Sequence, residues 1–236
     1  MSKGRAKQKQ TKRVVREVIA REQRRQRALW TSIVAALLLV IAGMVGYGVY
    51  AGQRPAGKYV PPPGITDTLG VPVGSGPVTV DIYADFMCPA CRTFEEAVGD
   101  TLDQLVSENK VTVVYHPVAF LDRYSSTQYS TRSSAASGCA AEVGRYRDYL
   151  TALFNQQPSQ GGPGLSDEEL ASIGTGLGFG DTFSECVTSG KYRPWTARVT
   201  EEATKRGVLA TPSVFVNGQA VDPDPQAITA AVDAAQ

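Results

Sequence analysis

The stretch VTVDIYADFMCPAC, residues 78–91, decides how this chain of 236 residues is read. Val78, Val80, Ile82 and Ala84 alternate as one face of a strand, and past the cysteines Phe94, Ala97, Val98, Leu102, Leu105 and Val106 recur at helical spacing. Pro89 suits the first helical position, where its missing N–H has no partner to lose. The unit is therefore a strand, then Cys88-Pro89-Ala90-Cys91, then a helix. Unpaired N–H groups and the positive end of that helix favour a thiolate at Cys88, and such placement lowers a cysteine pKa from ~8.5 into roughly 3.5–7.5.

Cys91 follows three residues later, one helical turn on, where Cβ atoms stand about 5–6 Å apart, near what a disulfide needs. Cys88 at the turn reads as the exposed, attackable sulfur and Cys91 as the resolving one. A zinc site is the weaker reading: Cys139 and Cys186 lie 47 residues apart and His116 is the sole histidine. Covalent haem attachment is excluded because residue 92 is Arg rather than His. Two buried structural thiols remain the plain alternative.

Outward toward the amino terminus, residues 52–64 read GQRPAGKYVPPPG, with seven Gly or Pro in thirteen, a spacer that reaches up to about 40 Å when extended. Before it, residues 28–53 carry no formal charge between Arg27 and Arg54. As a helix that run would reach about 39 Å, enough to cross a hydrocarbon core of roughly 30 Å, and the span is placed at residues 29–51. Trp30 at one end and Tyr47 with Tyr50 at the other suit the interfaces. Residues 1–28 hold eleven Lys or Arg against Glu17 and Glu22, a net +9, whereas residues 29–236 hold 13 bases and 21 acids, a net −8. The basic tail should stay cytoplasmic and the remainder face outward, at the cell membrane with a single pass. A cleaved signal peptide with Val49, Tyr50 and Ala51 at its end is the alternative, but an apolar segment of this length exceeds the usual 7–15 residues. The tail's charge is accounted for by topology and anionic lipid, so no nucleic-acid partner is assigned. A hydrophobic content of 42% with 20% charged residues excludes a wholly disordered chain, and residues 65–236 are long enough for one core.

The strand, Cys88-Pro89-Ala90-Cys91, the helix and, far downstream, Thr211-Pro212 followed by SVFVNG together resemble the thioredoxin superfamily, and within it the DsbA-like thiol:disulfide oxidoreductases in their membrane-anchored form. The resemblance covers about residues 70–236 and implies an α/β thioredoxin fold with a helical insertion, preceded by a single transmembrane helix. VTVVYHPV from Val111 matches a second strand, and residues 125–205 read as the mostly helical insertion. Ser166 to Glu169 resembles a capping box, Gly207 suits a helix end, Val214 and Val216 with the Asn217-Gly218 turn supply a hairpin, and residues 226–235 the last helix. By resemblance Pro212 is cis and abuts Cys88, so that Thr211 can pair with an extended substrate segment.

Two departures from the family pattern stand out. The buried carboxylate common six residues before the first cysteine is Ile82 here, leaving Asp85 as the nearest acid and a proton route to Cys91 to be found elsewhere. Ala90 stands where strongly oxidising relatives often carry His, which points to a less oxidising potential. His116, before Pro117 at a strand end, reads as structural. Cys139 and Cys186 are read as a structural disulfide, because their number is even and the compartment is oxidising. The GTGLGFG run from Gly174 does not fit a phosphate loop and reads as a flexible loop.

The function implied is exchange of the Cys88–Cys91 disulfide with exported proteins that carry reduced cysteines, without an organic cofactor or metal. Oxidase action is the main reading, with reoxidation by a membrane quinone-linked partner of the DsbB or VKOR type. A reductase or isomerase is the alternative within the class, and a Cys88/Cys91 metallochaperone the alternative outside it.

Overall fold

The chemistry-bearing strand sits at the centre of the sheet. The computed structural model describes residues 60–236 and, ahead of them, Gly43. The basic tail at 1–28, the rest of the span at 29–51 and linker residues 52–59 lie outside the described residues. Among the described residues no helix is long and apolar enough to cross a membrane. Strand β2 (Val78–Ala84) pairs in parallel with β3 (Val111–Pro117), with Val80 opposite Val113 and Ile82 opposite Tyr115. On its other side it pairs antiparallel with β4 (Ser213–Val216). The outer strands are β1 (Val71–Gly74) beside β3 and β5 (Gln219–Val221) beside β4, giving the order β1-β3-β2-β4-β5. β1 is absent from the sequence reading, since four residues containing Pro72 and bounded by Gly70 carry little alternation.

Helix α1 (Pro89–Ser107) carries the chain from β2 across to β3, the crossover a parallel pair requires. It buries Phe94, Val98, Leu102 and Leu105 as the spacing predicts, and Cys91 with them, while Val106 is half-buried. Ala97 is exposed, however, and Glu95 with Gly99 face inward. The reason is a tertiary ion pair: Arg147 reaches Glu95 and Asp103 of α1, and a Cβ on Gly99 would come within 2.9 Å of its guanidinium.

The insertion is five helices: α2 (Tyr129–Glu142), α3 (Tyr146–Asn155), α4 (Asp167–Gly176), α5 (Asp181–Ser189) and α6 (Arg193–Lys205). The expected capping box opens α4, with the Glu169 N–H donating to Ser166 Oγ at 3.2 Å and the Ser166 N–H to Glu169 Oε2 at 2.7 Å. Cys139 of α2 and Cys186 of α5 form the predicted disulfide, their Cα atoms 5.9 Å apart. The GTGLGFG run is not a flexible loop. Its first three residues finish α4, Phe179 is buried, and a Cβ on Gly174 would lie 2.1 Å from the Phe183 ring, so that glycine permits α4 and α5 to touch.

After α6, Gly207 takes φ +80°. Asn217 and Gly218, at φ 46° and 81°, close the β4–β5 hairpin as predicted, and Asn217 Oδ1 accepts from the Thr79 N–H at 2.9 Å. Helix α7 (Pro225–Ala234) begins one residue before its expected start, capped by Asp224.

Candidate active site

β2 ends at Ala84, and the next four residues turn the chain inward before α1 begins. Phe86 and Met87 are buried, so the turn is pinned into the core, and Cys88 is the residue that caps α1, with extended backbone. Its carbonyl accepts from the N–H of Cys91 at 3.0 Å and of Arg92 at 3.2 Å. Pro89 takes the first helical position as expected, and it and Ala90 are exposed. Both active-site cysteines are free thiols. Cys88 is less open than the sequence suggests: it keeps 8% of its surface, while Cys91 keeps none, so the order of access survives.

Thr211, 123 residues after Cys88, and Pro212 lie against this turn. The Thr211–Pro212 bond is cis, and the Cys88 thiol reaches the Thr211 carbonyl at 3.5 Å. The Cys91 thiol donates to Cys88; this, against the opposing effect of burial and with further hydrogen bonds from the Thr211 side chain and the backbone N–H groups of Cys91 and Ala90, holds the Cys88 thiol down to about 5. Burial pushes Cys91 well above its ordinary value, reinforced by its bond to Cys88 and the charge there. One sulfur is thus a thiolate at neutral pH and its neighbour a thiol.

Three groups that sequence reasoning gave no role complete the site. Gln157, in the loop after α3, donates through Nε2 to the carbonyls of Phe86 at 2.9 Å and Cys88 at 3.0 Å. Gln160 reaches the Met87 carbonyl at 3.4 Å. Asp85 is fully buried beneath the turn, and burial, despite hydrogen bonds from Met87, Ser130 and Leu121, raises its carboxyl to about 6. No local pattern marks the glutamines, whereas an acid within a strand-to-CxxC turn is at least a visible oddity. His116 is not part of the site: its Nε2 pairs with Asp81 Oδ1 at 2.8 Å and its ring stacks on Tyr83, centroids 4.2 Å apart.

A family model described as thioredoxin matches residues 73–234, which takes in the dithiol turn, the insertion and the Thr211–Pro212 loop. The chain belongs to the thioredoxin family. Within it, the chain is similar to the solved structure of DsbA from Mycobacterium tuberculosis, with 31% identity and a TM-score of 0.63 over 70% of this chain and 91% of that one. A probable disulfide bond formation protein D of Bacillus cereus is 24% identical over 203 residues, 83% of this chain and 90% of that protein. The serine/threonine-protein kinase PknE of Mycobacterium tuberculosis is 36% identical over 130 residues, 51% of this chain but 23% of the kinase, so the chain spans under a quarter of that relative's length. The thioredoxin-family domain described above is that of a thiol:disulfide oxidoreductase.

Proposed function

We propose that the protein is a membrane-anchored oxidase that introduces disulfides into exported proteins, with residues 1–28 cytoplasmic and the thioredoxin domain outside. The observation that carries the direction is the asymmetry of the dithiol: Cys88 held to about 5 beside a protonated Cys91. A thiolate stabilised in the reduced form makes the disulfide form the stronger oxidant. This outweighs the missing His at Ala90, whose work the Cys91 thiol and the Thr211 side chain take over.

In the forward step a substrate thiolate attacks Cys88 Sγ, the Cys88–Cys91 bond breaks, and its electron pair stays on Cys91, which takes up a proton. A second substrate thiolate then attacks the substrate sulfur of the mixed disulfide, and Cys88 leaves as a stabilised thiolate. Thr211, in contact with Cys88, pairs with the substrate backbone beside it. The two electrons now on the protein must pass onward, to a membrane quinone-linked partner of the DsbB or VKOR type. The anchor rests on the uncharged run of residues 28–53 behind the basic tail.

Equilibrating the detergent-solubilised full chain with glutathione buffers tests the direction. A potential above about −200 mV is expected, and one near the −270 mV typical of thioredoxin would make it a reductase. Labelling of single cysteines introduced on either side of the span in intact cells tests the topology: shielding of the folded domain from an impermeant reagent would overturn it.

A further inference from the structure

The turn that holds the dithiol is bonded from two sides. On one side the Cys88 thiol meets the Thr211 carbonyl at 3.5 Å, in the loop that leads into β4. On the other, Gln157 Nε2 donates to the carbonyls of Phe86 at 2.9 Å and Cys88 at 3.0 Å, and Gln160 Nε2 to the Met87 carbonyl at 3.4 Å. This glutamine loop is tied to the segment that follows β3: the Gly161 N–H donates to the Tyr124 carbonyl at 2.8 Å, and the Ser126 N–H to the Gly162 carbonyl at 3.4 Å. β3 and β4 flank β2 on opposite sides, so the Thr211 loop and the glutamine loop stand on opposite sides of the turn that β2 feeds.

Counting donors and acceptors separates the two glutamines. A side-chain amide carries two N–H donors and one carbonyl acceptor. Both groups that Gln157 reaches are backbone carbonyls, which only accept, so its NH2 must face them and both donors are spent. Its Oε1 faces away from them and accepts no hydrogen bond. Gln157 is half-buried, and among the described residues the Tyr129 hydroxyl is the sole buried side-chain polar atom without a partner, so Oε1 opens to solvent rather than into the core. Two bonds fix the amide and leave an acceptor of set position beside Cys88. Gln160 is exposed and held by one long bond, so its amide keeps its freedom.

A substrate segment that pairs with Thr211 does so through one edge, and the N–H and C=O groups of alternate residues project from its other edge, toward the glutamine loop. We propose that Gln157 is a substrate-binding residue whose Oε1 accepts a hydrogen bond from a main-chain N–H on that free edge, next to the reacting cysteine. The inference rests on the dithiol reading above and adds a second contact to the one at Thr211. Both acceptors are open when substrate is held: Cys88 bonded to sulfur carries no proton, which releases the Thr211 carbonyl from the thiol contact of the reduced protein. Because the Gln157 contact is to main chain, it serves any extended segment. It selects against proline at the contacted position, which has no N–H to give.

The test measures kcat/KM of the full-length protein in its disulfide form for oxidising a reduced two-cysteine peptide, in wild type, Gln157→Ala and Gln157→Lys. Each protein is also given analogues with a single backbone N-methyl at one of the cysteines or at a residue next to it, which removes one donor at a time. At one such position the methyl should cost wild type roughly three- to tenfold, the worth of a half-buried hydrogen bond, and cost neither variant anything. Gln157→Lys is the sharper variant, because an ammonium still donates to the Phe86 and Cys88 carbonyls but offers the substrate no acceptor. It also covers the case in which the alanine variant fails to fold. A residue that merely braced the turn would lower the rates for all peptides together and leave their ratios as in wild type. Unchanged ratios in Gln157→Lys at every position would therefore overturn the inference while leaving the dithiol mechanism standing. A wild-type protein that fails to oxidise the parent peptide would overturn both.

Discussion

The molecule carries two cysteine pairs in opposite electrostatic settings. Cys88 and Cys91 open a helix, where N–H groups converge on the first sulfur, and both are free thiols. Cys139 and Cys186 each sit three residues from the end of a helix, α2 and α5, where carbonyls and the negative end of the helix disfavour a thiolate, and they are joined. All four are buried. Burial therefore does not separate a reactive cysteine from an inert one. The end of the helix does, because exchange requires a thiolate to attack and a thiolate to leave.

The sharpest way to break this contrast is to remove one sulfur at a time. Cys88→Ser should abolish oxidation of a reduced two-cysteine peptide, whereas Cys91→Ser should keep a nucleophile and accumulate mixed disulfides visible on non-reducing gels. The double variant Cys139→Ala, Cys186→Ala should retain peptide oxidation. Loss of turnover in that double variant with the fold intact, or stable complexes from Cys88→Ser but not Cys91→Ser, would break the division of labour.

Stability should reverse the ranking. Closing a loop of about 48 residues is worth roughly 4 kcal/mol in the chain-entropy view, so the double variant should show a correspondingly lower urea midpoint. Reducing the active-site pair has a different, pH-dependent signature. Folded Cys88 near 5 lies below its unfolded value of ~8.5, so between them the unfolded chain binds more protons and the reduced protein gains stability with rising pH, by up to about 1.4 kcal/mol per unit. That contribution is complete above the unfolded pKa and is lost as pH falls through about 5. Asp85, raised in the folded state, slopes the other way up to about 6, so the clean window runs from there to the unfolded thiol's pKa. Denaturation of reduced and oxidised protein across that window should show the gap between them shifting steadily in favour of the reduced form. Parallel curves would mean that Cys88 carries no special acidity.

What could be read from the chain beforehand divides along the same line as the two pairs. Patterns confined to a few residues were legible: the β2-CPAC-α1 unit, the Ser166–Glu169 box, the Asn217-Gly218 turn. The Cys139–Cys186 bond was legible too, because four cysteines in a chain expected to face an oxidising compartment leave one pairing once Cys88 and Cys91 are taken. Features set by a distant partner were not. Glu95 looks like a solvent-facing acid until Arg147, 52 residues on, is brought beneath α1. Gly174 looks like a loop glycine until Phe183 is laid across it. Asp85 is visible as an acid in an odd place, but its carboxyl is held by the Ser130 hydroxyl, 45 residues away in the insertion.

The smallest predicted effect is the one that joins the two regions. Gln157 belongs to the insertion yet holds the carbonyls of Phe86 and Cys88, with Gln160 on the carbonyl between them, so the insertion touches the reactive turn through amide hydrogens. Gln157→Ala should cost about 1–2 kcal/mol, since the two half-buried carbonyls lose a donor that water replaces only in part. Cys88 should become slightly less acidic, because an amide that drew electron density from its own carbonyl is gone. Gln157→Glu should be worse at neutral pH, where a carboxylate faces two carbonyl oxygens, and should recover as acid restores a donor. Urea unfolding with a parallel thiolate titration measures both effects. Were Gln157→Ala to cost more than removal of the Cys139–Cys186 bond, the insertion would be anchored at the reactive turn rather than by its own disulfide, and the inert pair would lose its place as the main brace of this domain.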